Sequence, residues 1–242
     1  MVRLGKIEHL NAMTWILRGL LGIGGLALAY VAWPVAGGAW QAQKADVVVF
    51  ELRTRQPMQL AEVLVGVEAL DRAVAADPVA GRRLGRSELL AGAALTGSLP
   101  LTADQRAAWL KQALADLDYG LGNAPARGVS WARLASARQA LDGASAKVVA
   151  AVMMSIDTAP MMAPLWPVRL QLVLDNWQFF TPQERERISA YVAMNWRMSA
   201  NRIWFAEAIR SPIDELFVRY FVRGEPQAQE ELTRWLAHLK TR

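Results

Sequence analysis

The side chains in this sequence most able to do chemistry are carboxylates: Asp104, Asp116, Asp118, Asp157, Asp175, Glu184 and Glu186. Two carboxyl groups held roughly 5–10 Å apart can cleave a glycosidic bond, one as acid and the other as nucleophile or base. Their spacing singles out no pair, and most such residues serve as helix caps or face solvent. The two histidines, His9 and His238, lie at opposite ends of the chain and assemble neither a zinc site nor a Ser-His-acid triad. There is no cysteine, which removes a thiolate metal site, a thiol nucleophile and a disulfide framework. No P-loop, G-x-S-x-G or H-E-x-x-H stretch occurs. No catalytic, cofactor-binding or metal-ligating residue is therefore assigned, and no cofactor is expected. Among the ten tryptophans, Trp166, Trp177, Trp196 and Trp204 could act as sugar-stacking platforms. Their helical spacing favours packing instead.

Composition and charge narrow the partners. With 242 residues, 53% apolar and 20% charged, the chain is long and apolar enough to bury a sizeable core. Its net charge is +5, but residues 19–242 carry 24 basic and 21 acidic groups, with no clustered basic run. That is not the footprint of a nucleic-acid binder, so no nucleic-acid partner is expected.

The clearest element lies near the start. Residues 19–43 contain no charge, and "GLLGIGGLALAYVAWPVAGGAW" is long enough for the roughly 20 apolar residues that span a bilayer. The reading is a tail over 1–14, a transmembrane helix over 15–40 and a juxtamembrane connector over 41–57. Trp15, Tyr30, Trp33 and Trp40 sit towards the ends of the apolar stretch, at headgroup level, and Arg18 can snorkel. A cleaved signal peptide is the alternative, with Arg3 and Lys6 as its basic start and Ala39 at its end. The apolar run exceeds the ~7–15 residues of a signal core, which favours a retained anchor. Gly22, Gly25 and Ala29 form a small-residue face where another helix could approach closely. The slight excess of basic residues before the span favours a cytoplasmic amino terminus at a bacterial inner membrane, with the remainder periplasmic.

Residues 58–242 read as helices broken by Pro and Gly, and the fold class is all-α. "TADQRAAWLKQALADLDYG" opens on a capping box at Thr102 and Gln105, with Gly120 placed to end it, and Thr181, Pro182 and Glu184 open another helix. "TPQERERISAYVAMNWRMSANRIWFAEAIR" reads as one continuous helix. In "SPIDELFVRYFVRG" the residues Ile213, Leu216, Phe217, Tyr220 and Phe221 have the spacing of a core-facing stripe, as do Leu232, Trp235, Leu236 and Leu239 later. Pro125 and Pro160 stand 35 residues apart, close to the tetratricopeptide period of about 34.

On these residues the chain resembles the tetratricopeptide family. Trp131, Leu134 and Ala135 stand as in its W-x2-L-G pattern with Ala in place of Gly, and "SIDTAP" resembles the close of its second helix. Arg138 departs from the pattern, where the family usually has an aromatic. Trp131, Leu134, Ala135 and Arg138 share one face, which reads as the contact between paired helices, Arg138 meeting a carboxylate such as Asp142 or Asp175. The resemblance implies a helical-hairpin α-solenoid whose inner face carries partner contacts, here Val129, Ala132, Ser136 and Gln139. A short tail, one membrane helix and a block with "WARLA" followed by "LWPVRLQLVLDNWQFFTPQERE" are also similar to small tetratricopeptide-like membrane proteins of proteobacterial surface-polysaccharide machinery. That similarity implies a non-catalytic, membrane-anchored scaffold subunit, with the bilayer and the subunits of a membrane complex as partners. The competing expectation is a periplasmic helical protein that binds a glycan or acts on one through carboxylates.

Overall fold

The computed structural model describes the backbone of residues 4–240 and the side chains of residue 15 and residues 17–239. Arg3, and the side chains of Lys6 and His9, lie outside the described residues. Twelve α-helices occur among the described residues, and no strand. They are α1 (Leu4–Gln43), α2 (Asp46–Thr54), α3 (Leu60–Ala76), α4 (Ala80–Leu95), α5 (Ala103–Asn123), α6 (Gly128–Asp142), α7 (Ala146–Thr158), α8 (Trp166–Asn176), α9 (Pro182–Met198), α10 (Ile203–Glu207), α11 (Pro212–Phe221) and α12 (Ala228–Lys240). The chain divides into two compact units, Met1–Arg82 and Arg83–Arg242.

In the first unit α1 has two characters. Leu17–Gln43 is long and apolar enough to cross a membrane, and large side chains along it stand bare, with Leu26 74%, Tyr30 83% and Trp33 79% exposed. Its last turns are packed. Gly38 is buried, and a Cβ there would lie 2.8 Å from Arg82 Cζ and 3.1 Å from the Ala73 carbonyl oxygen, so only glycine allows α1 and α3 to approach this closely. Arg82 donates from Nη2 to the Val35 carbonyl at 2.7 Å and from Nε to Asp77 at 3.0 Å. The stretch expected as a connector holds α2, which packs on α3. It ends at Arg55 in the left-handed region, φ 55°, and Gln59 and Glu62 then cap α3 reciprocally. The expected boundary after residue 57 therefore falls inside the first unit.

In the second unit successive helices pack in chain order: α5 on α6, α6 on α7, α7 on α8, α8 on α9, with α6 also touching α8. Capping sets the helix starts. Thr102 accepts from Gln105 N at 3.2 Å, Thr181 accepts from Glu184 N at 3.3 Å, and each partner side chain accepts in return from the threonine N–H. Gly120 does not end α5. It is buried, and the helix runs on to Asn123, one residue short of the Ala124–Pro125 turn. Likewise the single helix expected over residues 182–210 breaks at Ser199, whose extended backbone separates α9 from α10.

Two hairpins, α6–α7 and α8–α9, share a device. Trp131 Nε1 donates to the Pro125 carbonyl at 2.7 Å, and Trp166 Nε1 donates to the Pro160 carbonyl at 3.1 Å. Both the prolines and the tryptophans are 35 residues apart. A proline cannot continue a helix, and the carbonyl it leaves open is taken by the indole that begins the next pair. Within the first hairpin Gly128 meets the end of α7, where any Cβ would collide with that of Ala159. Ser155 donates to the Gly128 carbonyl at 2.6 Å, closing the same contact.

The end of α7 is held by a buried cation. Arg169 on α8 is 0% exposed. It donates to the Ser155 carbonyl at 2.6 Å, the Ala159 carbonyl at 2.9 Å and the Tyr191 hydroxyl at 2.8 Å. The carbonyls at the end of an α-helix carry partial negative charge, so a guanidinium there complements the helix dipole and gives Ser155 and Ala159 a second donor beside the Ala159 and Met162 N–H groups. The core around it includes Leu134, Val148, Val152, Leu170, Val173, Ile188 and Trp196.

Candidate functional site

Five of the seven carboxylates that could have formed a hydrolytic pair are engaged in ion pairs or a helix cap, and Asp104 and Glu186 are exposed. Asp116 is fully buried and receives a two-pronged contact from Arg86, Nε to Oδ2 at 2.6 Å and Nη2 to Oδ1 at 2.8 Å, with Arg83 at 3.6 Å. Asp118 pairs with Arg138, Asp157 with Arg187, and Asp175 with Arg210. Glu184 caps α9 and Asp104 lies exposed in the first turn of α5. No group of three or more metal-ligating side chains occurs among the described residues.

The four residues expected to face a partner do not form an open face. Val129 is 38% exposed, but Ala132 is 3% exposed, Ser136 is half-buried, and the Gln139 side chain accepts from Asn176 Nδ2 at 2.9 Å. α8 packs on α6 and covers this side. Of the opposite face, Leu134 and Ala135 are buried, while Trp131 is half-buried against the core. Arg138 meets Asp118 at 2.9 Å and the Lys147 carbonyl at 3.3 Å rather than Asp142 or Asp175, because the fold brings α5 and the start of α7 beside it. In α1 a Cβ on Gly22 or Gly25 would meet nothing within 4 Å, and Ala29 is exposed.

The tryptophans separate by burial. Trp166 and Trp196 are 5% and 1% exposed, and Trp204 stacks on Phe205 with centroids 3.8 Å apart. Trp177 is the exception, because it lines a cavity of about 700 Å³ between the start of α9 and α11, together with Arg185, Glu186, Ser189, Leu216, Phe217, Tyr220 and Arg223. A smaller hollow of about 450 Å³ shares Trp177, Arg185 and Phe217. The floor is aromatic: Trp177 lies 5.1 Å from Phe217 and 5.2 Å from Phe221. Guanidinium groups lie over two of the rings, Arg185 5.2 Å from Trp177 and Arg223 3.9 Å from Tyr220.

The stripe expected to face the core on α11 is split. Phe221 and Val218 are buried and Phe217 is half-buried, whereas Ile213, Leu216 and Tyr220 are 63%, 68% and 48% exposed. α11 is apolar around more than half its circumference, and periodicity alone does not say which side turns inward. The sequence reading missed Arg185 and Arg223 as well. In "QERER" and "VRYFVR" they look like their neighbours Arg187 and Arg219, yet those pair with Asp157 and Glu215, and Arg185 and Arg223 meet only backbone carbonyls and rings. No sequence signal separates the two kinds.

Geometrically this is an all-helical protein with, among the described residues, one bare apolar helix and an aromatic, basic groove. Compared with protein-family models, curated proteins and solved structures, the chain matches none of them.

Proposed function

We propose that this chain is a non-catalytic, membrane-anchored interaction subunit of a bacterial envelope complex. The observation that carries the reading is the bare part of α1. A helix of soluble protein this apolar is covered by other protein, and this one is exposed from Leu17 to Ala36. Lipid is the solvent that suits it. The span runs from Trp15 to Trp33 and ends short of Trp40, because the Arg82–Asp77 pair sits on the Val35 carbonyl and a charge pair belongs outside hydrocarbon. Those 19 residues cover about 28 Å, close to the ~30 Å of a bilayer core.

The indole-to-proline bonds repeated in α6–α7 and α8–α9 support a tetratricopeptide-like array, the kind of scaffold that presents surfaces to other proteins. An inner-membrane position with a cytoplasmic amino terminus belongs to the same proposal, as does an accessory role in surface-polysaccharide assembly or export. The test is purification of a tagged copy from native membranes in mild detergent. The expected result is co-purification with membrane subunits in fixed ratio. Recovery as a lone monomer, with full function retained by a version lacking residues 1–43 and secreted by a foreign signal, overturns the reading.

A further inference from the structure

We infer that the groove between α9 and α11 docks an acidic, amphipathic helical segment of a partner protein. The inference rests on the interaction-subunit reading and names where and with what chemistry the contact is made.

Three features define the occupant. First, the groove holds two arginines that form no ion pair, against one carboxylate. Arg185 donates from Nη2 to the Trp177 carbonyl at 3.2 Å, and its buried Nε has no acceptor. Arg223 donates to the Tyr220 carbonyl at 2.8 Å. Glu186 is the single carboxylate among the described lining residues, and no ion pair engages it. A guanidinium laid on an aromatic ring is pre-ordered, so it loses little freedom on meeting a carboxylate from outside.

Second, the apolar surface is aliphatic as well as aromatic, and it is long. Ile213, Leu216 and Tyr220 lie at i, i+3 and i+7 on one exposed face of α11, a strip of about 10 Å. A partner helix offering leucine-like anchors at matching intervals covers such a strip, with its acidic flank towards the arginines. Third, the alternative occupant fits less well. A sugar ring needs a free aromatic face, yet Arg185 lies over Trp177 and Arg223 over Tyr220, and Leu216 and Ile213 offer sugar hydroxyls no hydrogen bond. The cavity of about 700 Å³ then receives the anchor side chains of that helix.

The test uses the full chain in detergent micelles and fluorescently labelled 16-residue peptides. One carries leucines at i, i+3, i+4 and i+7 flanked by glutamates, a second replaces the glutamates by lysines, and a third scrambles the leucines. Trigalacturonate serves as the anionic glycan probe. The glutamate peptide is expected to bind and the other two peptides not, with binding weakened about tenfold each by Arg185→Gln and Arg223→Gln and by Leu216→Ser. Leu216 and Arg223 are exposed, so these variants keep the wild-type melting temperature, which checks their fold independently of Arg185. Equal binding of glutamate and lysine peptides, indifference to the three substitutions, or preferential binding of trigalacturonate overturns the inference. Fixed-ratio membrane partners that stay with the Arg185→Gln, Arg223→Gln double variant overturn the groove while leaving the interaction-subunit reading intact. A lone wild-type monomer that still binds the glutamate peptide does the reverse.

Discussion

Arg169 on α8 donates to the Ser155 hydroxyl on α7 through both Nε, at 3.1 Å, and Nη2, at 2.9 Å, with the whole side chain out of water. Ser155 in turn donates to Gly128 at the start of α6, so one hydroxyl joins three helices. The angle between hairpins is thus set by polar contacts at the end of α7 as much as by the apolar side chains around it.

Arg169→Ala is expected to destabilise the second unit by roughly 3–5 kcal/mol, because it opens a cavity and removes the buried guanidinium donors that the Ser155 and Ala159 carbonyls accept beside the Ala159 and Met162 N–H groups. Ser155→Ala, which leaves the carbonyls served, should cost about 1–2 kcal/mol. Denaturant unfolding of the detergent-solubilised chain measures both, and equal losses for the two variants contradict the assignment.

Asp116 and Arg86 are expected to be strongly coupled. Either Asp116→Ala or Arg86→Ala leaves a shielded charge without its partner and should cost about 3–5 kcal/mol, while Asp116→Leu with Arg86→Met together should cost much less. A double-mutant cycle reads the coupling. Additive losses show that the pair is not a unit.

The two indole bonds differ in burial. Trp166→Phe and Trp131→Phe should each lose about 1 kcal/mol with the N–H donor. Truncation to Ala separates them: Trp166, 5% exposed, should cost about 3–5 kcal/mol. Trp131, half-buried, should cost visibly less, and the melting temperatures order them.

The chain has no cysteine, so single substitutions report membrane depth directly. Leu26→Cys and Val31→Cys are expected to resist a membrane-impermeant maleimide in intact membranes, and Ala39→Cys and Gln43→Cys to react once that side is made accessible. Protection extending to Ala39 places the Arg82–Asp77 pair within lipid and contradicts the proposed end of the span.

Gly38→Val should disturb the first unit by about 1–3 kcal/mol, since Arg82 can move aside but the Ala73 carbonyl cannot. Gly25→Val has open space around it and should leave melting unchanged while weakening any helix that docks against the span. Similar melting losses for both variants place Gly25 inside the fold.

Much of this was legible from short-range chemistry. Thr102, Thr181 and the prolines announce helix starts because capping is settled within four residues. The apolar run of α1 shows itself because lipid and buried protein select the same composition. What escaped depends on contacts distant along the chain. Arg138 finds Asp118 instead of Asp175 because α5 packs beside it, and Asp175 is taken by Arg210. Ala132 and Gln139 read as a groove until α8 lies over them. Arg185 and Arg187 are two residues apart in one charge run, yet one reaches Asp157 and the other lies on Trp177. Which arginine is left uncompensated is a property of the neighbours, not of the run.

The hold of Arg82 on Val35 also limits how α1 can move. In a bilayer, sliding the helix one turn towards the far side would drag the Arg82–Asp77 pair about 5 Å into hydrocarbon, and sliding it the other way would expose Trp15 and its neighbours to water. Piston motion is opposed at both ends. Rotation about the helix axis is opposed as well, because turning α1 would pull Val35 from Arg82 and drive the Gly38 turn against the Ala73 carbonyl.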